Sequence, residues 1–113
     1  MHTVSTYPAL DADLNLRMVQ TLKERYGLEV GYSGHETSVS PSIVAATLGA
    51  VAIERHITLD RAMWGTDHSA SLEAQGLNQL VGALRKVRVV VGDGIKKEIP
   101  AEREMAAKMR YWE

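Results

Sequence analysis

The chain has 113 residues, a formal net charge of -1 from 13 Lys/Arg against 14 Asp/Glu, no cysteine, and 45% apolar residues. That length allows one domain with a real core, and the mixed, near-neutral charge leaves no electrostatic footprint for nucleic acid or an anionic membrane. Without cysteine neither a disulfide framework nor a thiolate metal site can form; no apolar run nears the ~20 residues that span a bilayer, and no signal peptide opens the chain, so a cytoplasmic protein is expected.

Met1 leads directly into "HTVSTYP", which reads as a strand from His2 to Tyr7 ended by Pro8. A chain that begins inside a core element is expected to be the back part of something longer. A helix is predicted from about Asp13, a plausible N-cap, with Leu14, Met18, Leu22 and Tyr26 recurring every four residues and Gly27 as its C-cap. "EVGYS", from Glu29 to Ser33, reads as the second strand. The loop "GHETSV" leads to Ser40-Pro41, an N-cap with proline at the first helical position, and the short helix "PSIVAATLG" stops at Gly49. A third strand, read as a core strand, runs from Ala50 to about Ile57, followed by a long loop to Ser71. From Glu73 a helix carries Leu77, Leu80, Val81, Leu84, Val87 and Val91 at helical spacing until "GDG" at 92–94. A further helical stretch is predicted after Pro100.

Strands alternating with helices imply parallel βαβ units, which must be covered on both faces or closed into a barrel. Three strands cannot close a barrel, and a (β/α)₈ barrel takes ~250 residues. The expectation is an α/β fold of three parallel βα units, part of a barrel or a small α/β layer. Residues 1–113 would form a single partial domain with an outer tail at 93–113.

In parallel α/β folds ligands bind at the carboxyl ends of the strands. Residues two apart share a strand face, which pairs Ser5 with Tyr7, Ser33 with His35 and Glu54 with His56 at three successive strand ends. Two imidazoles on adjacent strands suit a divalent cation with N/O ligands, such as manganese, iron, cobalt or zinc; each could equally hydrogen-bond loop backbone. Glu54 could act as a general base or accept a sugar hydroxyl, or pair with Arg55 or Arg61. Ser5 and Ser33 are candidate donors to phosphate or carboxylate oxygens, or simply loop formers. Asp67 and His68 lie in the long loop and could reach back over the site, as could any solvated loop residue. Trp64, in the same loop, is unusual without a surface to cover. "GDGIKK" follows a helix rather than a strand, so it reads as a cap and turn, not a phosphate cradle.

"HTVSTYP", "VGYSGHE" and "AVAIERHITLDRAMWGTDHSASLE" together resemble the sialic acid synthase family, which includes N-acetylneuraminate, legionaminic and pseudaminic acid synthases. The resemblance runs from His2 to about Gly92 and matches the later strands of that family's catalytic barrel. It implies the last part of a TIM (β/α)₈ barrel. The implied reaction condenses phosphoenolpyruvate with an open-chain N-acetylated hexosamine, releasing phosphate and forming a nine-carbon 2-keto acid. His35 and His56 fall on the metal-binding histidines, with manganese the implied ion. Ser33 falls on a phosphoenolpyruvate contact and Ser5 on another, where some members have asparagine. Glu54 falls on a catalytic glutamate near the reacting carbons, and Tyr7 and Asp67 on sugar-contacting positions. Gly34 stands where many members have aspartate, a departure that would reshape the loop or mark a different sugar preference.

The earlier barrel strands, which supply the remaining phosphoenolpyruvate-binding groups, are not in this sequence, nor is the family's C-terminal antifreeze-like domain. The implied partners are the two substrates and either the remainder of a barrel or further copies of the chain, and the chain alone is expected to be inactive. Two other readings compete: a stand-alone metal- or sugar-binding module or oligomeric half-barrel, and a barrel running an aldolase or isomerase reaction on a histidine-bound metal. Metal occupancy would fall below ~pH 6.5, because protonated imidazole cannot ligate.

Overall fold

A computed structural model describes residues 1–110; residues 111–113, the end of the expected outer tail, lie outside the described residues. Three strands form one parallel sheet in the order β1-β2-β3: β1 (His2–Thr3), β2 (Tyr32–Gly34) and β3 (Ile53–Arg55). The register sets His2 opposite Tyr32 and Thr3 opposite Ser33, then Ser33 opposite Glu54 and Gly34 opposite Arg55. Four α-helices alternate with and follow the strands: α1 (Met18–Tyr26), α2 (Ser40–Thr47), α3 (Ala74–Val91) and α4 (Pro100–Met109). The fold is α/β with right order and direction for successive βα units. Among the described residues, no helix is long and apolar enough to cross a membrane.

The strands are shorter than expected. The first leaves the ladder after Thr3, and the third pairs only over Ile53–Arg55, with one further bridge from Ile57 to Leu72. The reading of Ala50–Ile57 as a core strand also fails, because β3 is an edge: Val51 is 56% and Ile57 66% exposed. Only β2, flanked on both sides, is buried throughout. The apolar side chains flanking β3, Val51 and Ile57, are left uncovered among the described residues.

The first helix starts later than expected. Residues Asp11–Asp13 make a single 3₁₀ turn, and Asn15 takes a left-handed conformation (φ 43°) before α1 begins. Asparagine tolerates that region better than most residues, so it can carry the break. Leu14 is thereby used as a buried plug, and its carbonyl accepts from His2 Nε2 at 2.7 Å. Val19, not the expected Tyr26, is the buried residue of α1. Gly27 closes it as read, left-handed at φ 63° with its N–H on the Lys23 carbonyl at 2.8 Å. The second helix begins one residue early, with Ser40 inside it and Val39 at the cap, a difference within the usual fraying of helix ends.

Glu73 caps α3 and Gly92 ends it, as the sequence predicts. Leu80 is its buried residue, while Val81, Val89, Val90 and Val91 are exposed. The turn after it is the cap expected at "GDG": Asp93 accepts from the Ile95 N–H at 3.0 Å and from Lys97 at 2.6 Å. No residue of α4 is buried.

The outer face of β2 and β3 holds a buried ion pair. Glu36 is fully buried, and its carboxylate accepts from Tyr32 Oη (2.8 Å), Ser42 Oγ (3.0 Å) and Arg55 Nη1 (3.2 Å). Arg55 Nη1 also donates to the Ser38 carbonyl (2.9 Å) and Ser42 Oγ (3.1 Å), and Nη2 donates to the Glu36 and Ala70 carbonyls. One guanidinium thus joins the end of β2, the start of α2, β3 and the segment before α3. Burial lowers the Arg55 pKa from its ordinary value, and Glu36 opposes that shift. Burial, reinforced by Glu36, pushes the Tyr32 phenol well above the usual tyrosine range.

Arg55→Ala leaves the Glu36 carboxylate buried without its counter-charge and should cost about 3–5 kcal/mol in denaturant unfolding. The Tyr32 shift gives a signed pH dependence. Its contribution is full below the unfolded value of ~10 and is lost as pH rises through the higher folded value, since the unfolded phenol ionises first. Unfolding curves collected above ~pH 10 should fall more steeply for the wild type than for Tyr32→Phe; equal slopes would remove Tyr32 as the cause.

Candidate functional site

Alternation along β2 and β3 sends Ser33 and Glu54 to the face opposite the buried ion pair. They are register partners, and Ser33 Oγ donates to Glu54 Oε1 at 2.7 Å. Glu54 takes this hydrogen bond and pairs with neither Arg55, which is on the other face, nor Arg61, whose guanidinium donates to the Ser69 carbonyl. Ser33 is buried, whereas Glu54 is exposed, so the pair lies at the floor of an open surface.

His35 and His56 stand one row further on, at the carboxyl ends of their strands. Their ring centroids are 5.3 Å apart at 67°. His35 Nδ1 lies 2.9 Å from the Val4 carbonyl and 3.5 Å from Thr3 Oγ1. A carbonyl can only accept, so the proton belongs on Nδ1 and the lone pair on Nε2. The backbone hydrogen bond and the ligand role, alternatives from sequence, are therefore compatible on one ring. His56 Nδ1 faces Asp67 Oδ2 at 3.8 Å, which likewise leaves Nε2 on the far side. A carbonyl or carboxylate behind each imidazole is the arrangement that orients metal-bound histidines.

Tyr7 completes the cluster, its ring centroid 4.5 Å from His35 and 5.8 Å from His56. Ser5, two residues before it, is exposed at the rim. Asp67 is set by its own loop. Its carbonyl accepts from Ser71 Oγ at 2.6 Å, and its Oδ1 from Thr66 Oγ1 at 2.9 Å. His68 turns away from the site: its Nδ1 meets Thr58 Oγ1 at 2.7 Å, and that hydroxyl in turn donates to the Asp60 carbonyl. Trp64 covers nothing among the described residues and is fully exposed.

The structure thus brings together Ser33, Glu54, His35, His56, Tyr7 and Asp67, and leaves Ser5 at the edge. Sequence reading missed Thr3, which touches His35, and the Tyr32–Glu36–Arg55–Ser42 cluster behind the site. The parity that put Ser33 and His35 on one face puts Tyr32, Gly34 and Glu36 on the other, so the signal for the second cluster was present. Two imidazoles with free Nε2 atoms suit a divalent cation as half of a ligand set. No group of three or more His, Asp or Glu side chains among the described residues is arranged to complete it.

The sequence pattern of the NeuB family matches residues 1–96. The N,N'-diacetyllegionaminic acid synthase of Campylobacter jejuni is 43% identical over 104 residues, covering 92% of this chain and 31% of that protein. The N-acetylneuraminate-9-phosphate synthase of Homo sapiens is 42% identical over 103 residues, covering 90% of this chain and 29% of that protein. Among solved structures, the N-acetylneuraminic acid synthetase of Leptospira borgpetersenii, in complex with citrate, superposes with a TM-score of 0.78 at 34% identity. That match covers 97% of this chain and 40% of the other. The chain spans about a third of the length of the curated relatives it matches. With the family pattern matched over residues 1–96 and relatives above 40% identical, the chain belongs to the NeuB family.

Proposed function

We propose that this chain is the C-terminal part of the catalytic barrel of a sialic-acid-type synthase. The reaction condenses phosphoenolpyruvate with an N-acetylated hexosamine to a nine-carbon 2-keto acid and releases phosphate. The observation that carries this reading is the opposed pair His35 and His56, the first with Nδ1 on the Val4 carbonyl and the second with Nδ1 facing Asp67 at 3.8 Å, beside the Ser33–Glu54 hydrogen bond. Parallel strands deliver all four to one end of the sheet, where ligands of α/β folds bind.

His35 and His56 would hold a divalent ion, manganese in this reading, through Nε2. When bound, the ion supplies a Lewis acid for the sugar aldehyde and a template for the two substrates. Ser33 Oγ directs its hydrogen bond at Glu54 Oε1 until a phosphoenolpyruvate oxygen offers a competing acceptor. Turning that hydroxyl towards the substrate frees Glu54 to take a hydrogen bond or a proton near the reacting carbons. Tyr7 closes one side of the imidazole pair and Asp67 the other, where each would meet sugar hydroxyls. Ser5, at the rim, would reach phosphoenolpyruvate from outside.

The barrel context is supported by what the chain leaves open. Among the described residues β1 and β3 have no strand partner on their outer edges, and a groove lined by Val51, Ile53, Val81, Leu84 and Val87, with Arg85 and Arg88 beside them, lies between β3 and α3. Open parallel edges and uncovered apolar faces call for more strands and helices, from the rest of a barrel or from further copies of the chain. In the second case the chain would be a half-barrel that assembles. A monodisperse monomer in size-exclusion mass measurement disfavours that alternative.

The test is a chimera in which this chain replaces the matching segment of the Campylobacter jejuni enzyme. It should form keto acid and release phosphate with manganese, whereas the isolated chain should form none. His35→Ala or His56→Ala in the chimera should abolish manganese activation with the fold retained by circular dichroism. The loss should exceed the ~10–100-fold that changes to outer-shell partners cost. Unchanged metal dependence removes that histidine from the site, and keto-acid formation by the chain alone overturns the claim that it is incomplete.

A further inference from the structure

Neither His35 nor His56 is held by the sheet ladder, which ends at Gly34 and Arg55. Both rings sit one residue beyond it, on strands whose paired stretch is three residues long. Their backbones are tied instead from outside: the His35 carbonyl accepts from the Ala9 N–H at 2.9 Å, and the His56 carbonyl from the Leu72 N–H at 2.8 Å. Between these ties stands the buried ion pair. Glu36 follows His35 directly, and Arg55 separates Glu54 from His56.

We propose that Glu36 and Arg55 are a positioning pair for the imidazoles. Adjacent residues of an extended chain face opposite sides, so clamping Arg55 outward fixes Glu54 and His56 inward, and clamping Glu36 does the same for His35. The clamp reaches across the β2–β3 seam, so it sets the separation of the two rings as well as their direction. A buried pair is poor value for stability, since apolar side chains of like volume commonly do as well. Here it carries an added cost, because Arg55 Nε is buried with no hydrogen-bond partner among the described residues. What the pair supplies, and an apolar filling cannot, is direction.

Gly34 belongs to the same device. A Cβ on Gly34 would lie 2.5 and 2.8 Å from the Glu36 carboxylate oxygens and 2.9 Å from the Tyr32 ring. The carboxylate therefore fills the room that a side chain at position 34 would take, directly opposite Arg55 in register. A side chain at position 34 and the Glu36 carboxylate compete for the same room beside Arg55. Gly34 consequently faces the outer cluster and not the sugar, and its identity bears on the clamp.

The proposal rests on the reading of His35 and His56 as ligands, and the experiment separates the two. Long-range ¹H–¹⁵N spectra of the metal-free protein report which ring nitrogen carries the proton, and manganese affinity is measured in parallel. Wild type should show His35 in the Nδ1–H form. The apolar double variant E36M/R55M should hold its melting temperature, yet populate both His35 tautomers and bind manganese at least ~10-fold more weakly, the scale of second-shell losses. G34D and E36A should each disturb the tautomer, and G34D/E36A, with the carboxylate relocated, should restore it. E36M/R55M retaining a single Nδ1–H tautomer overturns the proposal. Should E36M/R55M unfold, G34D/E36A decides: a restored tautomer supports positioning, and a lost one refutes it. A wild type with the expected tautomer but no manganese binding defeats the ligand reading and leaves the positioning claim to the tautomer data.

Discussion

The buried pairing of Glu36 with Arg55 is the constraint on which the rest of this chain hangs. Its three strands are too short for their ladder hydrogen bonds to define the ends of β2 and β3. One guanidinium instead gathers the end of β2, the first turn of α2, β3 and the segment before α3. Its partner carboxylate is satisfied by a phenol and a hydroxyl as well as by the charge. Such an arrangement tolerates little: the guanidinium shares its donors among several acceptors, and removal of either charged member strands the other in a dry environment.

Strand alternation turns that constraint into a site. The residues that look outward, Tyr32, Gly34, Glu36 and Arg55, make the cluster against the helices. The residues between them, Ser33, His35, Glu54 and His56, are thrown to the opposite face. The two sets differ in solvent access, and that difference is chemical. The outer set is closed, and apart from Arg55 Nε its buried side-chain polar atoms are hydrogen-bonded among the described residues. The inner set is partly open: Ser33 and His35 are buried, whereas Glu54 is exposed and His56 half-buried. A surface of that kind is ready for ligands, which fits a chain whose NeuB relatives are sugar-acid synthases.

Much of this was legible in the sequence because parity needs no structure. Knowing that three strands end in polar residues two apart was enough to group Ser33 with His35 and Glu54 with His56. Arg55 could be assigned to the helix side by the same rule. Helix stops at Gly27 and Gly92 were legible too, since glycine is favoured where the chain turns left-handed. The start of α1 was not: the chain breaks at left-handed Asn15, next to a buried Leu14 whose carbonyl is held by His2 from β1, a contact between distant segments. Nor was the exposure of β3, since an apolar run looks alike whether its neighbour lies in the same chain or elsewhere.

By itself the sequence determined which residues share a face, since backbone stereochemistry alternates side chains whatever surrounds the strand. It also determined the order of strands and helices, through hydrophobic period and turn residues. Only the tertiary structure decided which proton sits where. Val4 behind His35 and Asp67 near His56 come from other segments, and they leave Nε2 facing the site. It alone showed that Gly34 makes room for a carboxylate two residues on, because steric volume is set by packing across strands, which no local pattern encodes.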